Sequence, residues 1–339
     1  MSKTHFLAKP KSLAVFLFTG ILLLFGFAFV YVSFGAKEIS FKLVIKALFA
    51  YDAQITECIY IRDSRLARYF AGIIVGASLA LTGSIMQGST NNPLADAGLL
   101  GISSGASFAI VLIAMFLPAI GRLQMFALTS LGSFLSTVLV IGISFMGKST
   151  FQKERLVLAG MSVSMLFSSL TMIFIIKGKL FQKMAYYNAG SLANANWSIL
   201  ALAIPVFIVF SLFSIAISKQ LTILNLGNDV AISLGVKVSQ IGFIVLIIVL
   251  VLTSISVILI GPVAYIGLIV PHLVRRMVGT DYRYILPTAM LMGSVLVVVC
   301  DFFARIILRP SEIPIGVIIS LIGVPVLIWV SRQKASSMM

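Results

Sequence analysis

The chain has 339 residues and a formal charge of +15, from 25 Lys and Arg against 10 Asp and Glu. Hydrophobic residues make up 60% of it, charged residues only 10%, and the mean hydropathy is +1.12, where a soluble domain carries about 25% charged residues. Such a composition cannot cover a water-facing globule, which excludes a soluble enzyme and a disordered chain, and the basic residues sit in short loops rather than on the single face that binds nucleic acid.

Lys3, Lys9 and Lys11 lead into an apolar stretch over about 12–34. It is longer than the apolar core of a signal peptide, lacks a small-residue cleavage site, and is read as a retained first membrane helix. Crossing the hydrocarbon layer takes roughly 20 apolar residues. Further candidate runs lie at about 66–88, 98–117, 124–146, 156–176, 198–218, 238–260, 262–274, 284–304 and 314–331. The reading is an all-α polytopic membrane protein, a single transmembrane domain over 1–339 with about ten transmembrane helices. The eighth run is short and interrupted by Gly261, Pro262 and Pro271. Broken backbone at membrane depth survives only where protein or a water-lined cavity satisfies it.

With ten spans both termini share a side, and the basic N-terminus favours the cytoplasm. The loops then hold thirteen Lys and Arg inside and twelve outside, a near balance that leaves orientation to other arguments. The outer charge means either a miscounted span or a basic landing surface for an acidic external partner.

Gly83, Pro93 and Gly101 recur 178 residues later as Gly261, Pro271 and Gly279. Each trio is expected to break a long span at the same point. Halves of about 65–176 and 238–332 would then form an internal inverted repeat, the architecture of many transporters, with the pathway at the repeat interface.

Other patterns carry less. Gly142 to Ser149 matches the phosphate-loop spacing G-x-x-x-x-G-K-[ST]. It ends an apolar run instead of joining a strand to a helix, so it is a chance match. Gly72 with Gly76, and Gly101 with Gly105, are small-residue faces that let helices approach closely, as are Gly316, Ser320 and Gly323 in the last span. Asn196-Trp197-Ser198 matches a glycosylation triplet that is frequent by chance. His272 stands alone beside Pro271, and Cys58 and Cys300 are far apart. No metal site and no catalytic residue is expected, and Asp301 is placed to pair with Arg305 along one helix face. A membrane-embedded enzyme would need paired ionisable groups within its spans, and a structural scaffold would not need the broken Gly–Pro segments. Residues 219–237 include an amphipathic stretch, with Leu226, Val230 and Leu234 on one side and Asn228 and Asp229 beside it. Breaks at Gly227 and Gly235 would make it a compact cytoplasmic knob.

The run Arg65-Leu66-Ala67-Arg68, then Gly72, Gly83, Gln87, Asn92-Pro93-Leu94-Ala95 and Leu99 to Ala106, resembles ABC-importer permeases for ferric siderophores, haem and vitamin B12. Leu158-Ala159-Gly160, Gly190-Ser191-Leu192, Trp197 and Leu234-Gly235-Val236 continue the resemblance. Gly267 to Arg275, Gly279, Asp281, Arg283, Pro287, Asp301 and Glu312 to Gly316 complete it over nearly the whole chain after the first helix. The resemblance implies ten helices in a bacterial cytoplasmic membrane and a second permease subunit, the same chain or a different one. It further implies two cytoplasmic ATPase subunits that use ATP and Mg²⁺, and an external substrate-binding protein. No cofactor would bind this chain.

By the same resemblance, Arg65, Arg68 and Arg305 meet carboxylates of the binding protein. Asn228, Asp229, Leu234 and Gly235 couple to the ATPase, and Lys153, Glu154 and Arg155 belong to the cytoplasmic gate region. Gly72, Gly76, Gly83, Pro93, Gly261, Pro271, Gly316 and Gly323 serve helix packing or the pathway. Ala67 stands where the family has proline, which leaves the turn into the second helix less fixed. A ferric siderophore is the expected cargo, with haem and vitamin B12 as alternatives.

Overall fold

The computed structural model describes residues 10–35, 38–52, 54–145 and 153–336, all helix and connecting loop among the described residues. The first helix, α1 (Pro10–Ser33), is followed by α2 (Phe41–Phe49) and α3 (Thr56–Tyr60), which passes through a π-helical turn at Ile61–Leu66 into α4 (Ala67–Thr90). A 3₁₀ turn at Ala97–Leu100 leads to α5 (Ile102–Phe116), α6 (Arg122–Phe145), α7 (Lys153–Gly178) and the short α8 (Phe181–Asn188). Next come α9 (Trp197–Ala216), α10 (Ser218–Leu224) and α11 (Asn228–Ser233). The last four are α12 (Val238–Ile260), α13 (Ile266–Val278), α14 (Tyr282–Ile306) and α15 (Ile315–Ser336).

A helix occupies each of the ten expected windows, but among the described residues seven are long and apolar enough to cross a membrane. Of the others, α5 has 15 residues and α13 only 13. At about 1.5 Å rise per residue neither helix by itself covers a layer of about 30 Å. A pass at either place needs the adjoining segment, 97–101 before α5 or 261–265 before α13. The eighth window also shifts. Positive φ at Gly261 and Tyr265 turns the chain before α13 starts at Ile266, and Pro271 lies inside that helix instead of ending it. A proline has no N–H to give the carbonyl four residues back. That carbonyl, Gly267 O, accepts instead from Gln87 Nε2 at 2.9 Å.

The buried axis is α4, nearly all of whose residues are covered. It crosses α14 where Gly76 faces Gly293, and α13 where Gly83 faces Gly267. A Cβ at Gly76 or Gly83 would overlap the opposing glycine's backbone. Ser294 Oγ donates to Ile73 O at 2.9 Å across the first crossing. Gly105 and Gly132 make a similar approach between α5 and α6.

The residue-by-residue repeat needs correction. Gly83 does not break α4, which continues to Thr90, while Gly261 follows the end of α12. Pro93 sits in a loop turn and Pro271 in a helix. Of the three pairs, Gly101 and Gly279 share a situation: each has positive φ directly after a short helix. The two halves nevertheless share an element order. Helices of 24, 15, 24 and 26 residues run from α4 to α7, and helices of 23, 13, 25 and 22 from α12 to α15.

Candidate translocation path and its two ends

Three features stand along the molecule: a polar groove between α5 and α7, a charged node at the end where α4 begins, and a knob at the opposite end.

The groove, ≈ 430 Å³, is lined by Gly98, Ser103, Ser104, Ser107, Ser164, Ser168, Thr171, Met172, Ile175, Asn188 and Pro262. Ser103 and Ser107 are one turn apart on α5, and Ser164, Ser168 and Thr171 follow one face of α7. Two of these hydroxyls are spent on their own helices, Ser104 on Gly101 O at 2.8 Å and Thr171 on Phe167 O at 2.6 Å. Asn188 and Pro262 also border a larger apolar cavity, ≈ 710 Å³, on the side of Gly316, Ser320 and Val324. A hydroxyl both donates and accepts without carrying charge. The walls therefore offer weak, adaptable contacts instead of a tight polar cage.

At the α4 entrance the three predicted arginines come together, but inside the protein. Arg65, Arg68 and Arg305 are 2%, 8% and 3% exposed, so they are not the open collar that the charge count suggests. Arg65 donates to Val32 O and Ser33 O, closing the C-terminus of α1. Arg305 donates to Tyr31 O at 3.2 Å and stacks 3.9 Å over the Tyr31 ring. Arg68 spans Asp301 and Glu312, each at 2.8 Å. The expected Asp301–Arg305 pair forms at 3.3 Å, and Tyr31 Oη donates to Asp301 at 2.5 Å. Buried charges persist only when paired in this way. An external partner reaches these arginines only by displacing contacts that the chain already makes. Ala67 carries the N–H that proline would lack, and donates it to Ser64 O. The helix therefore runs on from Thr56 into α4 instead of turning loosely.

At the other end, α10 and α11 form the knob. Leu226, Val230, Ile232 and Leu234 are all exposed, and φ of 121° at Gly227 and 79° at Gly235 sets the two breaks that glycine alone adopts freely. Val236 N returns to Ala231 O at 2.9 Å and closes the end of α11. Asp229 is exposed and Asn228 half-buried. The knob is fixed to the body by Thr222 Oγ1, which accepts from Tyr282 N at 3.0 Å. Asp281 caps α14 by accepting from Arg283 N at 2.9 Å, and hydrogen bonds from Arg283 hold its carboxyl below the usual range. The side chains of Lys153 and Glu154 lie outside the described residues. Arg155 is half-buried at the start of α7, and the adjacent Leu156 meets Leu224, Asn228, Thr90 and Val238 around a small cavity. The start of α7, the knob and the end of α4 thus meet around one cavity.

The packing residues divide. A Cβ at Gly72 would press closely on Val298 and meet Leu192 at an ordinary distance, and Gly316 approaches the Ala189 carbonyl. Gly323 is covered by Tyr265 and Ile269 of the same chain, so the thin face of the last span is filled in part from within. Gly261 turns the chain against Tyr187 O. Pro93 follows Asn92, whose side chain accepts from Leu94 N at 3.0 Å. Of the Gly142–Ser149 pattern, 146–149 lie outside the described residues. Sequence reasoning missed the roles of Tyr31, Gln87 and the serine stripes. The serines had a usable signal in their spacing of four, while Tyr31 had none.

The model of the FecCD transport family matches residues 21–333. The iron(3+)-hydroxamate import system permease protein FhuB of Bacillus subtilis is 35% identical over 96% of this chain and 85% of its own length. The ferric enterobactin transport system permease protein FepD of Escherichia coli is 34% identical over 88% and 90%. A solved structure described as an inward-facing conformation of a putative metal-chelate type ABC transporter superposes with TM-score 0.83, at 29% identity over 94% of this chain and 99% of that one. Together with the groove and its two ends, these matches show that the chain belongs to the FecCD transport family.

Proposed function

We propose that this chain is the permease subunit of a bacterial ABC importer, carrying a ferric siderophore complex across the cytoplasmic membrane. The observation that carries the reading is the hydroxyl-lined groove between α5 and α7. A large chelate passing through a membrane needs uncharged walls that bind weakly at many points, and the relatives' names supply the iron-chelate class. Haem and vitamin B12 remain the alternative cargoes for the same walls.

The chain makes ten passes with both termini cytoplasmic, and its halves form an inverted repeat. In support, the C-terminal turns of α4 and the N-terminal turns of α12 share a cavity through Met86, Thr90, Val238 and Val245. The leading helices of the two halves therefore run antiparallel. A second permease subunit, identical or different, completes the path. Two cytoplasmic ATPase subunits hydrolyse ATP with Mg²⁺ and press on the knob through Asp229, Leu234 and Gly235. An external binding protein delivers cargo at the Arg65–Arg68–Arg305 end. Movement at the knob passes to the gate region beside Arg155 and opens the path to one side at a time.

The test is uptake by cells that have only this permease system, offered iron as hydroxamate, catecholate and citrate chelates, and separately haem and cobalamin. Accumulation from an iron chelate supports the reading. Uptake of haem or cobalamin alone replaces the cargo.

A further inference from the structure

The short helix α2 has no part in the path, and its nine residues divide into three sectors. At about 100° per residue, Phe41, Ile45, Leu48 and Phe49 form one contiguous face, Lys42 and Lys46 the next, and Leu43, Val44 and Ala47 the third. The third face is spoken for: Val44 and Ala47 pack with Tyr31, Val32, Ile39, Cys58, Ile61 and Tyr69. The first is bare, with Phe41 and Ile45 51% exposed and Phe49 80% exposed. Lys42 and Lys46 are exposed as well, Lys46 lying 3.4 Å from Asp52.

Position tells what covers that bare face. α1 has 24 residues, about 36 Å of helix, which brings its end to the edge of a hydrocarbon layer of about 30 Å. Most of its length faces outward, with Val15, Phe18, Leu22, Leu23 and Phe25 all over half exposed. Only a few residues separate that end from α2, whose core face packs on the last turn of α1. A helix held there is placed at the level of the membrane surface. Its apolar sector, bordered by lysines whose stems reach along apolar surface while the ammonium stays wet, is the pattern of an interfacial helix.

We propose that α2 is an interfacial anchor. Phe41, Ile45 and Phe49 seat at the boundary of headgroups and acyl chains in the outer leaflet, and Lys42 and Lys46 contact phospholipid phosphates. The proposal rests on the chain spanning a membrane and not on its cargo. It levels the end of α1, and with it Tyr31 and the buried arginine node, at a fixed depth.

The intact permease, reconstituted in vesicles of phosphatidylcholine and phosphatidylglycerol, tests this with Phe49→Trp as reporter and the two native tryptophans as background. Lipids brominated at acyl positions 6,7 should quench the added fluorescence at least twofold, and more than lipids brominated at 11,12. Aqueous iodide should quench it weakly. Lys46→Trp should show less lipid quenching than Phe49→Trp, and Lys42→Glu with Lys46→Glu should reduce quenching of the Phe49→Trp reporter. Strong iodide quenching with no effect of brominated lipid would overturn the proposal and leave the face open to water and to a protein partner. Unchanged lipid quenching in the double lysine variant would overturn the phosphate contacts.

Discussion

Arg68 and Asp301, 233 residues apart in sequence, form a two-pronged ion pair with the closest N–O distance 2.8 Å and with both side chains almost wholly buried. The pair ties the entrance of α4 to the last turns of α14. Removing Arg68 takes the two-pronged partner from buried Asp301, which keeps Arg305, and leaves Glu312 unpaired. Breaking a buried ion pair in this way costs up to about 3–5 kcal/mol, whereas replacing an isolated pair with apolar residues of similar size is often neutral. Arg68→Ala should therefore lower the thermal stability of the purified permease sharply. Arg68→Met combined with Asp301→Leu should recover only part of the loss, because buried Arg305 and Tyr31 then lose Asp301 as their partner. If the double variant is as unstable as the single, the pair does more than neutralise buried charge.

Gly76 and Gly26 make a matched test of helix approach. A methyl at Gly76 meets the Gly293 backbone, while one at Gly26 meets nothing within 4 Å. Gly76→Ala should cost about 1–3 kcal/mol through forced separation of α4 and α14. Gly26→Ala, on the outward-facing α1, should be neutral or slightly stabilising, because alanine is the better helix former. Melting curves in detergent decide between these outcomes.

Much of this fold is legible in the sequence, because apolar runs of span length leave one solution in a membrane, and all ten windows hold a helix. What cannot be read there depends on partners distant in sequence. Gly83 looks like a breaker until Gly267 is seen against it. Pro271 looks like a helix end until Gln87 takes over its missing hydrogen bond. Arg68 looks like part of an exposed collar because its counter-charges, Asp301 and Glu312, lie at the far end of the chain. Spacing rules detect neighbours along one helix, which is why the Asp301–Arg305 pair was foreseeable and the Arg68 bridge was not.

The cap of α14 gives a pH dependence. The folded-state carboxyl of Asp281 lies below its usual range, so its stabilising effect is complete above the unfolded carboxyl pKa. It is lost as pH falls through the folded value. Asp281→Asn should flatten that acid limb of stability, and at neutral pH should cost at most about 1 kcal/mol, since asparagine also caps. Stability measured from pH 7 down to pH 3 in both proteins provides the check.

The knob should separate folding from coupling. Asp229, Ile232 and Leu234 are exposed and hold no part of the core. Asp229→Lys, or Leu234→Ser with Ile232→Ser, should leave membrane insertion and melting unchanged, and should cut ATP-driven transport at least tenfold. Transport at the wild-type rate with normal ATPase binding would remove the knob from the coupling route.

The most direct measurement places the permease with its ATPase and binding-protein partners in sealed proteoliposomes and follows labelled iron supplied as a siderophore chelate. The account predicts accumulation that requires ATP and that falls when a bulky residue fills the groove, as in Ser107→Trp or Ser168→Trp. Siderophore uptake that proceeds without ATP, or that is unchanged by both substitutions, would contradict it.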